Sequence, residues 1–562
     1  MMRPMSPSHT SRSSTTRRQF LVASSLASAG MLVPRSSWAM PAGAWQPAPE
    51  VAPPSAARAA EALAASRTLA DEATAKAALE AAVAAGATYA DARLVLYREE
   101  SIGVRDDHVR SVARSDHYGL GVRVIAGGGW GFAATSQVTA KAAVAAAKRA
   151  VETAKRNGAM LTSLGKPPVS WAPLAEPSSG TWVAPHEIDP LGVPIQEKAD
   201  LLLAATQAML KEPGVQYADG SLSIVVEDKL FLSSEGLRIH QIAPRVLPTI
   251  AATAVDRRRG GFAERLHDAP GMQGGWEYVL GLDLPGIAAP LALQAKQKLY
   301  ARSVEPGTRQ VILAPSNLWL TIHESVGHPT ELDRAMGLES NFAGTSFLGP
   351  NDAGGLSFGS KLVNFVADRT QPGGLATIGW DDDGVAGQRW DLVRDGIFVG
   401  WQTTRDQAAW IGESESRGCS YGQRYDGVPF QRMPNVSLQP GREGYTTEDL
   451  VNATEDGILI EGRGSWSIDQ QRYNFQFSGQ MFWEVKRGRI TQPLRDVAYQ
   501  ANTLEFWHSC DMLGGEGTYR LGGTFYDGKG EPMQLNAMSH GCPPGRFTVN
   551  VVNTSQQRGG AR

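Results

Sequence analysis

The sequence predicts an α+β protein in which α/β N-terminal units pack on a β-rich C-terminal domain. Its 562 residues exceed what a single hydrophobic core usually organises. The composition, 42% hydrophobic and 20% charged, is ordinary for a folded globular protein. Up to residue 303, Ala-rich helix patterns alternate with strand patterns, whereas strand and turn signals dominate the rest of the chain. We therefore expect two mixed units followed by a β-rich domain.

The first mixed unit is expected over residues 61–165. An Ala-rich stretch over 68–85 favours a helix, and the Val- and Leu-containing stretch 89–98 is typical of a strand. Strand patterns on both sides of the glycine triplet 127–129 predict a hairpin. A helix over 136–155 should follow, because its first residue is a serine, a common N-cap.

The second mixed unit is expected over residues 166–303, after a Pro-rich connection. A helix over 194–210, alternating strands over 221–253 and a helix over 289–303 are predicted. The C-terminal domain, residues 304–552, carries repeated glycine turn signals between apolar runs, which favours a β-rich fold. These signals are Asp395-Gly396, Arg487-Gly488 and Asp527-Gly528.

The N-terminus has the features of an export signal. The pair Arg17-Arg18 opens a weakly apolar run that is too short to span a bilayer, and Ser37-Trp38-Ala39 supplies the small residues of a signal-peptidase site. Residues 1–39 are therefore interpreted as a twin-arginine signal peptide and residues 40–60, rich in Pro and Ala, as a linker. We expect the mature protein in the periplasm or another extracytoplasmic compartment.

Charge and apolar patterning exclude two classes of partner. The 54 Lys and Arg residues are interspersed with 57 Asp and Glu residues, so no basic field is available to bind nucleic acid. No other run of about 18 apolar residues occurs, so no membrane span is expected after signal removal. Cys419, Cys510 and Cys542 are too few for a disulfide framework and allow at most one bridge, whose pairing stays open.

A short histidine motif, His323-Glu324-Ser325-Val326-Gly327-His328, is the strongest candidate site. It overlaps an apolar stripe with a spacing of four residues, which predicts an amphipathic helix capped by Ser316 or Asn317. Two imidazoles with a glutamate between them are the ligands and the general base that zinc peptidases use. The stripe consists of Leu318, Ile322 and Val326.

The spacing of the two histidines requires a distorted helix. At positions i and i+5 of an ideal helix, the side chains of His323 and His328 diverge by roughly 140° and could not bind one ion. Gly327 is flexible, and Pro329 disfavours the α conformation at the residue before it, so we expect the turn to break at His328. The alternative is that these residues lie at the end of a helix and bind no metal.

The motif and several other segments resemble the TldD/PmbA family of metallopeptidase-like proteins. Family members with an intact site carry an HExxxH motif, which His323 to His328 match. The resemblance covers essentially the whole mature chain and implies cleavage of unstructured peptides or small polypeptides, with zinc as the divalent metal. It also implies a homodimer or a heterodimer with a family paralogue. The other matching segments are 86–93, 119–123, 130–132, 432–435, 528–532 and 539–544.

The third metal ligand departs from the pattern that the resemblance implies. The family has a cysteine just before the Gly-Lys-Gly segment, whereas Asp527 stands at that position here. Aspartate is a workable zinc ligand and, unlike a thiolate, cannot be oxidised. We therefore expect His323, His328 and Asp527 to hold the metal and leave one position open. Two alternatives remain: Cys510 as the third ligand, and Asp527 as a plain turn residue before Gly528.

The expected reaction is hydrolysis by a metal-activated water. Zinc with three protein ligands lowers the pKa of a bound water toward about 7, and Glu324 could take the proton as general base. His540 is either a contact to the substrate or oxyanion or a core residue, and the sequence predicts no other substrate-binding residue. The alternative function is a non-catalytic structural partner of a catalytic TldD/PmbA paralogue, against which the intact motif argues.

Two further motifs are not expected to be functional sites. The segment Gly355-Leu356-Ser357-Phe358-Gly359 matches the nucleophile elbow of serine hydrolases, but a polar stretch precedes it where the elbow needs a buried strand. The segment Asp381-Asp382-Asp383-Gly384 lacks the alternating ligand spacing of a calcium loop. We expect the latter to be a solvated turn.

Overall fold

The structure, a computed structural model, describes residues 61–174, 176–267 and 269–557. The expected signal peptide and linker, residues 1–60, lie outside these ranges, so the export signal stays a prediction. Within the described ranges no helix combines the length and the apolar character needed to cross a membrane. Helices and strands both occur in each half of the chain, which confirms the α+β fold class.

The N-terminal half contains one large sheet. Its strands hydrogen-bond mainly to antiparallel neighbours, and strands of both predicted mixed units contribute to it. The strands are Tyr89–Arg105 (β1), His108–Ala126 (β2), Gly129–Thr135 (β3), Gly180–Val183 (β4), Val215–Ser233 (β5), Arg238–Asp256 (β6), Gly261–His267 (β7) and Met272–Gln273 (β8). Their order is β3-β2-β1-β5-β6-β4, and β7 and β8 also pair with β6.

The helices of this half cover the sheet. They are Arg67–Ala70 (α1), Glu72–Ala84 (α2), Ala140–Ser163 (α3), Ile195–Leu210 (α4), Trp276–Gly281 (α5) and Leu284–Tyr300 (α6). The alanines of α2 and α3 pack against β1 and β2, while Leu202 of α4 and Leu291 of α6 belong to a core cluster with β5 and β6. Thr139 caps α3 instead of the expected Ser136, because its hydroxyl accepts a hydrogen bond from the Ala142 N–H.

The C-terminal half is rich in strands, as predicted. They are Arg302–Ser303 (β9), Gly307–Leu313 (β10), Phe365–Asp368 (β11), Arg389–Arg394 (β12), Ile397–Phe398 (β13), Ser420–Tyr421 (β14), Phe430–Gln431 (β15), Asn435–Leu438 (β16), Asp456–Ile468 (β17), Asn474–Lys486 (β18), Arg489–Arg495 (β19), Val497–Asn502 (β20), Met512–Leu513 (β21), Arg520–Lys529 (β22), Gln534–Cys542 (β23) and Gly545–Asn553 (β24). The order β17-β10-β24-β20-β18 closes into a ring, because β18 also pairs with β17.

A short helix places the histidine motif against a hairpin. The helices are Pro315–Ile322 (α7), Leu332–Ala335 (α8), Thr447–Asn452 (α9), Thr503–His508 (α10) and Thr554–Gln557 (α11), with a π-helical turn at His323–Gly327 and 3₁₀ turns at Ala408–Ile411 and Glu516–Thr518. Helix α7 contacts β17 of the ring and both strands of the β22–β23 hairpin. The end of α7 therefore lies beside the strand that carries Asp527.

The segment Asp381–Asp383 joins the two halves of the molecule, so the expectation of a solvated turn was wrong. Asp382 and Asp383 are 3% and 1% exposed. Lys229 Nζ on β5 lies 2.9 Å from both carboxylate oxygens of Asp382, and Arg123 Nη1 on β2 lies 2.8 Å from Asp383 Oδ1. These cations come from the N-terminal sheet and neutralise the aspartates, which makes their burial possible.

Replacing Asp382 by asparagine should destabilise the protein. The change removes one charge and takes the nearest carboxylate from two buried cations, Lys229 and Arg93. Breaking a buried ion pair in this way costs about 3–5 kcal/mol, whereas an exposed pair contributes about 1 kcal/mol or less. Urea unfolding of Asp382→Asn should show this loss, and Asp391→Asn, whose partner Arg394 is exposed, is the matched control. Equal midpoints for the two variants would contradict the expectation.

Candidate metal centre

The histidine motif lies on a π-helical turn. Helix α7 ends at Ile322, and the turn His323–Gly327 is closed by a hydrogen bond of 3.1 Å from the His328 N–H to the His323 carbonyl. This i+5 bond widens the turn, so the imidazoles of His323 and His328 lie side by side with ring centroids 4.5 Å apart. The predicted distortion is confirmed, but its expected cause was wrong, because His328 keeps an α conformation before the proline.

The start of α7 also differs from the prediction. Pro315 is its first residue, and Ser316 and Asn317 lie inside the helix instead of capping it. Their side chains hold β17: the Ser316 hydroxyl accepts a hydrogen bond from the Gly462 N–H, and Asn317 Nδ2 donates to the Gly462 carbonyl, each over 2.9 Å. The apolar stripe is buried as predicted, and it consists of Leu318, Ile322 and Val326.

Asp527 faces both histidines. Its Oδ1 lies 3.7 Å from Nε2 of His323 and 3.6 Å from Nε2 of His328. Asp527 is paired with Asn536 inside the β22–β23 hairpin, so the reading of Asp527 as a turn residue was wrong. Its second oxygen, Oδ2, lies 3.0 Å from Nη2 of Arg432.

These three side chains fit a zinc ion. Zinc about 2.0–2.1 Å from tetrahedral ligands would hold the ligand atoms roughly 3.4 Å apart, close to the separations of 3.6 and 3.7 Å from Asp527 Oδ1 to the two imidazoles. Glu324 is a neighbour of the same site, since a ligand-type atom of each of His323, Glu324 and His328 lies within 4.8 Å of the other two. Two imidazoles and a carboxylate are also an ordinary donor set for zinc.

The cysteines lie in the hydrophobic core. Cys510 belongs to the largest core cluster, where burial raises the pKa of its thiol. Cys419 and Cys542 belong to the same cluster, and all three thiols are free. Of the two residues considered as third ligand, Asp527 lies beside the histidines and Cys510 lies in the core.

His540 lies directly behind His323 and is fully buried. His540 Nδ1 lies 2.9 Å from the Val436 carbonyl, which can only accept a hydrogen bond, so this nitrogen carries the proton. His540 Nε2 must then accept the hydrogen bond of 2.8 Å from His323 Nδ1. In the neutral imidazole of His323, these hydrogen bonds leave Nε2, the atom that faces Asp527, without a proton. His540 was expected from the sequence either to contact the substrate or oxyanion or to lie in the core, and its hydrogen bond to His323 was not predicted.

Glu331 orients the second imidazole. Its Oε2 lies 2.9 Å from Nδ1 of His328 and also accepts a hydrogen bond from Arg334, while its Oε1 lies 3.0 Å from Lys529 Nζ. His328 therefore donates from Nδ1 and presents an unprotonated Nε2. Carboxylate partners of this kind fix the orientation of metal-binding histidines. Our sequence reasoning did not find Glu331, although its position three residues after His328 is a usable signal.

The electrostatics keep these groups in the protonation states that metal binding needs. Burial, with help from Arg334, holds the pKa of His328 well below its usual value, and burial beside His323 does the same for His540. Burial raises the pKa of Asp527, but His328, His323 and Arg432 outweigh it and leave the pKa well below its usual value. His328 and His540 are therefore neutral and Asp527 is ionised near neutral pH.

The site opens into a cleft of about 510 Å³. His323, Glu324, His328 and Asp527 form part of its lining. The cleft is also lined by three large aromatic side chains that are about half exposed: Trp466 (52%), Tyr526 (54%) and Phe342 (44%). It is therefore accessible to a chain molecule from solvent and offers apolar as well as charged contacts.

The nucleophile-elbow motif has no comparable setting. Ser357 Oγ lies 2.9 Å from Nε2 of His508, but this pair is exposed. Nδ1 of His508 donates to the Leu504 carbonyl, where a serine hydrolase has a carboxylate. Ser357 forms only an isolated bridge to Ile397 and does not stand between a strand and a helix. The arrangement is that of a surface segment and not of a nucleophile elbow, which agrees with the rejection of this motif from the sequence.

The fold and the site together define a metallopeptidase-like protein. Sequence profiles of the PmbA/TldA metallopeptidases match three stretches: domain 1 at residues 90–157, the central domain at 188–302 and the C-terminal domain at 306–547. The chain belongs to this TldD/PmbA family. The matched regions contain the whole histidine motif and Asp527, so the candidate site lies in the family's C-terminal domain.

Individual relatives are distant, but the matches cover most of both chains. A metalloprotease of Methanocaldococcus jannaschii is 25% identical over 464 residues, which cover 79% of this chain and 94% of the relative. A protein named zinc metalloprotease TldD homolog, from Saccharolobus solfataricus, is 23% identical over 466 residues, 80% of this chain and 94% of the relative. The fold is similar to that of TldE from Thermococcus kodakarensis, with a TM-score of 0.61 and 16% identity over 84% of this chain and 98% of that one.

The contact between Glu331 and His328 predicts a measurable effect on metal binding. Glu331→Gln should lower zinc affinity about 10–100-fold, because an amide holds the imidazole less firmly than a carboxylate does. Asp333→Asn is the matched control, since Asp333 also binds Lys529 but is not the partner of His328. Zinc titration of both folded variants checks the expectation. An equal loss of affinity in both would assign the effect to Lys529 and not to the orientation of His328.

Proposed function

We propose that this protein is a zinc-dependent peptidase that cleaves unstructured peptides or small polypeptides. His323, His328 and Asp527 would hold the metal, and Glu324 would act as general base. The observation that carries the proposal is the convergence of Asp527 Oδ1 on the unprotonated Nε2 atoms of both histidines, with Glu324 beside them in an open cleft. The family's metallopeptidase character and the metalloprotease names of the relatives support it.

Zinc bound here would polarise the peptide carbonyl and make a water molecule more acidic. The protein's own groups then act around the substrate. Glu324 accepts a proton from the attacking water and afterwards delivers it to the nitrogen of the leaving amine. Glu324 is 6% exposed, so bulk water competes little for this proton. The two hydrogen-bonded partners, His540 and Glu331, keep the imidazoles in place throughout.

The cleft supports the choice of an unstructured substrate. A cleft of about 510 Å³ holds a few residues of an extended chain but not a folded domain. The half-exposed side chains of Trp466, Tyr526 and Phe342 would pack against apolar side chains of such a peptide. We therefore propose extended peptides that contain large apolar residues as the substrates.

The alternative function is that of a non-catalytic partner to a catalytic paralogue. A partnership within the family, as a homodimer or a heterodimer, is compatible with either function. The intact set of Glu324, two histidines and Asp527, with their orienting hydrogen bonds, favours catalysis by this chain. A non-catalytic partner would not need this orienting network.

Glu324→Gln should abolish peptide cleavage. The amide keeps the size of the side chain but cannot accept the proton, so the zinc-loaded variant should lose at least about 100-fold in kcat, the lower end of what general-base catalysis contributes. Turnover of an internally quenched, unstructured peptide measures this, with zinc content and thermal unfolding as controls for folding. Normal turnover by a variant with full zinc occupancy would remove Glu324 from the role of base.

Asp527 and Cys510 can be separated by metal analysis. Asp527→Asn should lower zinc occupancy and activity together, because a neutral amide is a poor ligand for zinc, and Asp527→Cys should restore binding through a thiolate. Cys510→Ala should leave zinc occupancy unchanged, because the thiol lies in the hydrophobic core. If the cysteine variant lost the metal and both aspartate variants kept it, Cys510 would be the ligand.

A further inference from the structure

Arg472 occupies a strained position beside the candidate metal centre. It lies in the turn between β17 and β18, with a φ of +63°, a left-handed conformation that residues other than glycine rarely adopt. Its N–H donates to the Asp469 carbonyl over 3.0 Å, and its own carbonyl accepts a hydrogen bond of 2.8 Å from Thr503 Oγ1. Backbone strain of this kind clusters at functional sites. The backbone is thus held in a costly conformation by contacts on both sides.

The guanidinium group of Arg472 points into the cleft. Nη1 lies 2.5 Å from Glu324 Oε2, and Nη2 donates to the Ala343 carbonyl over 2.9 Å. The third nitrogen, Nε, is buried and has no hydrogen-bond partner among the described residues. The side chain is 16% exposed and belongs to the lining of the cleft. A positive charge with an unused donor therefore stands next to the proposed base.

The other arginines near the centre have different partners. Arg432 binds Asp527 from behind through Oδ2 and the main-chain carbonyl. Arg334 binds Glu331 and the Ala343 carbonyl and is 1% exposed. Arg463 lies over the Trp319 ring, with Cζ 5.8 Å from the ring centroid. Arg472 differs from Arg432 and Arg334 because its carboxylate partner is the proposed general base, Glu324.

We propose that Arg472 is a catalytic residue that stabilises the negative charge on the peptide carbonyl oxygen during hydrolysis. This inference rests on the proposed peptidase function. In the resting site, Arg472 is paired with the carboxylate of Glu324. When Glu324 takes a proton from the attacking water, that carboxylate becomes neutral and no longer balances the guanidinium. The carbonyl oxygen becomes negative in the same step, so the attraction of Arg472 passes from Glu324 to the substrate.

The bonds and charges balance in this sequence. The water oxygen bonds to the carbonyl carbon, the π electron pair of the C=O bond moves to the oxygen, and the proton goes to Glu324. On collapse, the electron pair returns, the C–N bond breaks, and Glu324 gives its proton to the amine nitrogen. Glu324 is then again a carboxylate and pairs with Arg472. No oxidant, reductant or second substrate besides water is needed.

The test compares Arg472→Ala with wild type in the zinc-loaded full chain. With an internally quenched, unstructured peptide as substrate, kcat should fall about 10²–10³-fold, as for the loss of one oxyanion donor, while KM changes little. Added guanidinium chloride at millimolar concentration should restore part of the activity of Arg472→Ala and not raise that of wild type. Arg487→Ala is the matched control, because Arg487 is also a left-handed arginine, exposed in the turn that follows β18.

A binding measurement separates catalysis from a structural role. A phosphinic analogue of the cleaved peptide carries a tetrahedral anion, so its affinity for zinc-loaded Arg472→Ala should fall by about the same factor as kcat/KM. The affinity of the uncleaved peptide, measured on Glu324→Gln with and without Arg472→Ala, should stay the same, as should zinc content.

Results that contradict the expectation distinguish between the role of Arg472 and the proposed peptidase function. Wild-type kcat in Arg472→Ala, an unchanged affinity for the phosphinic analogue, or an equal loss of kcat in Arg487→Ala would overturn the role of Arg472. If wild type itself, fully loaded with zinc, cleaved no peptide, the proposed function would fall together with this inference. If wild type cleaved, Glu324→Gln did not and Arg472→Ala did, only the inference on Arg472 would be wrong.

Discussion

The arrangement of the candidate centre depends on one backbone hydrogen bond, from the His328 N–H to the His323 carbonyl. An α-helical turn at this place would send the two imidazoles in different directions. The π turn brings them together without a break in the chain, and its width demands space. Gly327 provides that space, because a Cβ at this residue would stand 2.5 Å from the sulfur of the buried Met433. The π turn and the close packing of Met433 against it therefore both depend on a glycine at position 327.

The surrounding strands hold the side chains of the π-helical segment in fixed positions. The β22–β23 hairpin supplies Asp527 on one strand and His540 on the other, so the carboxylate and the histidine behind His323 move as one unit. Lys529, at the end of β22, ties the same hairpin to Glu331 and thereby to His328. Each imidazole is thus held by the helix through its backbone and by the hairpin through its side chain. Such preorganisation lowers the reorganisation needed during reaction.

The parts of the site that are formed by neighbouring residues in the sequence were predictable. The pattern of His323, Glu324 and His328 follows from spacing and chemistry, and Asp527 came from the resemblance to the family. Glu331 was missed, and His540 was expected only as a substrate contact or a core residue, because their roles depend on which atoms meet after folding; His540 is 217 residues from His323. The fold class was predictable from periodicity, whereas the closed strand ring was not, since it depends on pairings between distant strands.

The buried segment Asp381–Asp383 limits how the chain can be divided. Its counter-ions Arg93, Arg123 and Lys229 come from the N-terminal sheet, 289 residues away in the case of Arg93 and Asp382. Cations of the N-terminal sheet therefore neutralise carboxylates that the C-terminal domain buries. A fragment that carries only the candidate metal centre would expose a cluster of carboxylates. An exchange of N-terminal domains between relatives would succeed only if the incoming domain carried cations at the positions of Arg93, Arg123 and Lys229.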